Sequence, residues 1–115
     1  MAKLGSPTVN YEQAEGALLA LADSTKAEFL AGFFKTGRGQ YGEGDRFLGI
    51  TVPALRRLAR QFQQLSLRDC KRLLDSPYNE ARVLALEILV HRYEKGHTAA
   101  KEKIYQFYLK NRRRV

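Results

Sequence analysis

Helical periodicity runs through most of the 115 residues. Between Asn10 and Asp23, the positions Tyr11, Ala14, Leu18, Leu21 and Ala22 recur at the three- and four-residue spacing that places side chains on one face. Asn10 stands where it can cap the start. A second pattern follows Ser24 through Ala27, Leu30, Phe33 and Phe34. A third opens on Pro53, whose fixed φ suits a first helical turn, and continues through Leu55, Leu58, Ala59 and Phe62. Ser66 can cap a fourth helix carrying Leu67, Cys70, Leu73 and Leu74, which ends in the turn-forming "DSPYN".

The fifth segment, "EARVLALEILVHRY", is apolar nearly all round. Leu84, Ala85, Leu86, Ile88, Leu89, Val90 and Tyr93 leave only a thin polar strip at Glu80, Glu87, His91 and Glu94, as expected of a helix covered on two sides. Lys95-Gly96 ends it, and Thr98 can start a sixth helix with Ala100, Ile104, Phe107 and Tyr108 facing inward. No stretch alternates with a period of two for long enough to make a strand. The pattern predicts an all-α chain of about six helices, mostly antiparallel pairs joined by short turns. Residues 66–94 resemble a HEAT-type repeat: a leucine-rich helix, the Asp75-Ser76-Pro77 turn, then Arg82, Ala85 and Leu89. Such repeats stack, each burying a face against its neighbour.

Between the second and third helices lies "TGRGQYGEGDRFLGI", with five of the nine glycines. Its "GRGQYG" fits the letters of a dinucleotide-binding turn, but a helix precedes it and ten residues separate Gly42 from Pro53. That chemistry needs a strand before and a helix at once after. A loop of this length inside a compact domain is more often functional than not, and its backbone amides, with Arg38 and Arg46, can meet a phosphate. Glu43 and Asp45 beside these arginines read as solvated carboxylates. Phe47, Leu48 and Ile50 pin the loop to the core.

Composition narrows the class. A 44% apolar and 28% charged chain is globular in type, and its single cysteine, Cys70, excludes an internal disulfide and fits a cytoplasmic protein. Cys70 lies on the apolar face of its helix and reads as core. His91 and His97 lack partners at ligand spacing, so neither metal nor cofactor is expected, and no catalytic constellation can be assembled. No apolar run reaches membrane length, and the start lacks the features of a secretory signal.

The formal charge of +8 is unevenly placed. Residues 91–115 hold 8 basic and 2 acidic side chains, a net of +6, a field that attracts polyanions. Lys103, Gln106, Lys110 and Arg113 or Arg114 fall in one stripe on the sixth helix, with Arg112 beside them. Arg92 and Lys95 can extend this patch, and Arg56 and Arg60 form a smaller pair on the third helix. Basic side chains on aligned helices grip a phosphate backbone without reading bases.

The stretches "FFKTGRGQYGEGDRFLGITVPALRRLAR", "LLDSPYNEARVLALEILVHRY" and "IYQFYLKNRRRV" together resemble the DNA alkylation repair family, the AlkD-like DNA glycosylases. The resemblance runs from about residue 28 to the last residue and covers about the N-terminal half of the family's domain. It implies a right-handed HEAT-like superhelix whose basic concave face cradles duplex DNA. It also implies excision of alkylated purines, aided by a carboxylate that stabilises the developing sugar cation. In the family that aspartate belongs to an Asn-x-Trp-Asp-x-x-Asp segment, which no position here matches; the chain has no tryptophan.

The sequence therefore predicts a single truncated solenoid over residues 1–115, inactive as a glycosylase alone. Lys103, Lys110, Arg112, Arg113 and Arg114 are expected on DNA phosphates, with Arg38 and Arg46 as loop contacts. Two alternatives accompany it. One is a non-enzymatic helical interaction module or homodimer using the exposed solenoid end. The other is an enzyme completed by a C-terminal half on another chain.

Overall fold

A computed structural model describes residues 9–33 and 44–111. Among them are six helices and no strand: α1 (Tyr11–Ala20), α2 (Ser24–Phe33), α3 (Val52–Gln61), α4 (Leu67–Leu74), α5 (Asn79–Lys95) and α6 (Thr98–Asn111). None is long and apolar enough to cross a membrane. The all-α expectation holds, and the arrangement is compatible with an α-α solenoid.

The helix starts follow local chemistry. The Asn10 side chain accepts from the Gln13 amide while the Gln13 side chain accepts from the Asn10 amide, a reciprocal capping box. Thr51 and Ser66 cap α3 and α4 through their hydroxyls alone, which accept from the amides of Ala54 and Asp69. The Asp23 carboxylate accepts from the Lys26 amide at the start of α2. At its other end, α1 stops at Ala20, three residues earlier than its pattern suggests, and Leu21 and Ala22 turn outward.

Helix α5 is the hub. It packs against α1, α3, α4 and α6, while α4 also touches α1 and α6. Five helices thus fall into two layers, α1–α4–α6 and α3–α5, with the core between them, and α2 contributes no buried residue to it. Leu18, Leu55, Leu65, Leu73, Leu74, Leu84 and Ile88 are almost wholly buried there, and Cys70 fills a small gap among them.

Four expectations need correction. Glu80 does not belong to a solvated strip: it is 2% exposed and engaged with the backbone of the glycine-rich segment. Nor is α5 covered on both flanks, since Val90 is 54% and Tyr93 42% exposed. On α6, Ile104 is buried and Phe107 half-buried, whereas Ala100 and Tyr108 face outward. On α2, Phe33 is exposed and its ring stacks on Phe29 at 6.2 Å. Phe34 lies outside the described residues.

Candidate nucleic-acid interface

The rotation of α6 about its axis is fixed by what it buries. Ile104 and Phe107 insert toward the core, and the buried Asn111 amide donates to the Phe107 carbonyl at 2.9 Å. Lys103, Gln106 and Lys110 fall outside that buried face, exposed in one stripe along the helix. Seven residues make two turns, so the two lysines sit about 10 Å apart along the axis. Neither is ion-paired within the described residues. The predicted stripe forms as far as it is described; Arg112, Arg113 and Arg114 lie outside the described residues, as does Arg38.

Arg46 is exposed on a backbone that is held at both ends. Its amide donates to the Pro77 carbonyl at 3.3 Å, and its own carbonyl accepts from the Asn79 amide at 2.7 Å, forming an isolated parallel bridge with Tyr78. The neighbouring Asp45 is not a solvated carboxylate. It accepts from the guanidinium of Arg82, whose other nitrogen donates to the Ser76 carbonyl at 2.8 Å. Glu43 lies outside the described residues.

Arg92 does not extend the basic patch. It is half-buried and donates to the Leu65 carbonyl at 2.6 Å, bracing α5 against the turn between α3 and α4. Lys95 stays exposed, and Lys101 lies over the Tyr93 ring at 5.4 Å, a cation–π contact linking α6 to α5.

Arg56 and Arg60 sit in the other layer. With Glu87, Val90, His91 and Glu94 they line a shallow groove of about 110 Å³ between α3 and α5. Arg56 is 3.8 Å from Glu87, and the Nε2 atom of His91 is buried with no hydrogen-bond partner among the described residues. Two carboxylates offset two guanidinium groups, so this groove is close to neutral while the α6 stripe is not. Periodicity missed the groove because its residues belong to two helices; the only sequence trace is the matching four-residue spacing of Arg56/Arg60 and Glu87/His91.

No group of three or more His, Cys, Asp or Glu that could hold a metal occurs among the described residues. The Cys70 thiol is pushed by burial from 9.0 to about 12, which suits a core residue and not a nucleophile.

With this geometry in hand, comparison with known proteins gives the class. The family model described as DNA alkylation repair enzyme matches residues 14–115, and the chain belongs to that family. No curated protein and no solved structure matched it.

Proposed function

We propose that the chain binds duplex DNA through the phosphate backbone, without reading base sequence. The residues proposed to meet phosphate are Lys103 and Lys110 on α6 and Arg46 ahead of α3, together with Arg38, Arg112, Arg113 and Arg114, which lie outside the described residues. The observation that carries this reading is the pair of exposed lysines on α6, neither ion-paired among the described residues, in a chain of the DNA alkylation repair family. Ammonium groups without carboxylate partners attract phosphate and release its counterions. The α4–α5 pair serves as a HEAT-type repeat within one domain.

These residues are proposed to bind without excising, because none of them matches the Asn-x-Trp-Asp-x-x-Asp segment that carries the family's aspartate. Amide chemical shifts titrated with a short duplex test the binding surface. Shifts concentrated on α6 beyond Lys103 and around Arg46 are expected; shifts confined elsewhere refute it. Free alkylated purine released from treated DNA would overturn the prediction of inactivity.

A second reading, an interaction module or homodimer, has its own observation. Val90, Tyr93, Tyr105 and Tyr108 are 54%, 42%, 50% and 40% exposed around a groove of about 390 Å³ between α5 and α6. Sedimentation decides here: a dimer that fails when Tyr93 and Tyr105 become serine favours this reading, and a monomer at all concentrations removes the homodimer.

A further inference from the structure

Glu80 sits in the first turn of α5, yet it serves the segment between α2 and α3. Its Oε1 accepts from the Leu48 amide at 2.8 Å, and its Oε2 from the amides of Gly49 and Ile50 at 2.9 and 3.3 Å. Three consecutive peptide N–H groups thus converge on one carboxylate that is 2% exposed. A buried charge is tolerable only when its lone pairs are filled, and here the backbone fills them.

Other contacts hold the same few residues. Asp45 is tied to Arg82, and both backbone groups of Arg46 are tied to the turn before α5. On the other side the Leu48 carbonyl accepts from the Asp23 amide at 2.7 Å. Gly49, at φ +83°, lies so close to the start of α2 that a side chain there would run into the Asp23 carbonyl and the Ala27 amide. Residues 45–50 are anchored to two helix starts, with backbone bonds at Arg46, Leu48, Gly49 and Ile50. The Arg46 side chain is exposed and makes no ion pair among the described residues.

We infer that Glu80 is a positioning residue for DNA binding, holding residues 45–50 in one conformation so that Arg46 meets a phosphate without first ordering its backbone. This rests on the duplex-binding reading above. Preorganisation of this kind contributes to affinity by removing an ordering cost, not by adding a contact.

Glu80→Gln tests it, since the amide keeps an acceptor but brings a donor against N–H groups. Fast hydrogen exchange at Leu48, Gly49 and Ile50, with helix content unchanged by circular dichroism, is the expected structural effect. Duplex affinity should then drop roughly threefold to tenfold, about as far as in Arg46→Ala, and the double variant should bind no more weakly than Arg46→Ala alone.

Freed amides with unchanged affinity, or losses that simply add in the double variant, overturn the inference while leaving the binding reading intact. No duplex binding by the unaltered chain overturns both. Should Glu80→Gln fail to fold, Asp45→Asn loosens the same segment from Arg82 at a partly exposed site. There, too, loss of affinity that disappears in the Arg46→Ala background supports the inference, and unchanged affinity contradicts it.

Discussion

The guanidinium of Arg92 donates to the carbonyl oxygen of Leu65 across 2.6 Å, buttoning the last turns of α5 to the bend between α3 and α4. A charged donor on a partly buried carbonyl contributes about 1.5–3 kcal/mol, more than a neutral bond, because the carbonyl loses water either way. Arg92→Ala should therefore lower the unfolding free energy by about 1–3 kcal/mol in urea and leave the salt dependence of DNA binding unchanged. A flatter salt dependence with unchanged stability would show that Arg92 is a phosphate ligand after all.

Gly49 and Gly44 offer a paired test of backbone and packing. Both have positive φ, 83° and 84°, but an added Cβ at Gly44 meets open space whereas at Gly49 it meets the α2 backbone. Gly44→Ala should cost about 1 kcal/mol, the strain alone. Gly49→Ala adds a clash that no flexible side chain can relieve and should cost about 3 kcal/mol or more. Equal costs would mean that the segment is not seated against α2.

The core predicts its own sensitivity. Leu84 is wholly buried on α5, the helix that every other core helix touches. Leu84→Ala should destabilise by about 2–5 kcal/mol, set by how far the surroundings collapse. A loss below about 1 kcal/mol would mean the two layers are not held together through α5.

Cys70 carries a pH signature. Its thiol titrates at about 12 when folded, raised by burial from 9.0. Between those values the unfolded chain has lost a proton that the folded chain keeps, so stability is full below pH 9.0 and falls as pH rises toward 12. Cys70→Ala should remove that part of the alkaline decline. In the unaltered chain a thiol reagent should label Cys70 only as fast as the chain opens; immediate labelling in native buffer would contradict its burial.

Much of the fold was legible because helix periodicity and capping chemistry are local. Asn10, Thr98, Ser66 and Pro53 mark real starts, and Lys95-Gly96 a real stop. Reading failed where a polar side chain has a distant partner. Glu80 fits the outer strip of α5 by spacing, but its acceptors are filled by amides some thirty residues earlier. Arg92 looks like one more cation in a basic run, yet its partner is a carbonyl in another turn. Helix rotation was partly hidden: spacing put Ala100, Ile104, Phe107 and Tyr108 on one inward face, and packing kept only Ile104 and Phe107 there.

The candidate interface was legible in part for the same reason. Lys103, Gln106 and Lys110 are all exposed on α6, as helical pitch alone predicts, while Arg113 and Arg114 lie outside the described residues. The α3–α5 groove with His91 needs two helices brought side by side, which no spacing within one helix reveals.

The most direct test of the central claim is duplex binding by fluorescence anisotropy across a salt series. The unaltered chain is compared with a variant in which Lys103, Lys110, Arg112, Arg113 and Arg114 are all alanine. Affinity should fall linearly on logarithmic axes as salt rises, and the variant's slope should be shallower by about 0.9 for each phosphate it no longer neutralises. An unchanged slope in the variant, or no binding by the unaltered chain at low salt, would contradict the claim that this basic helix grips DNA.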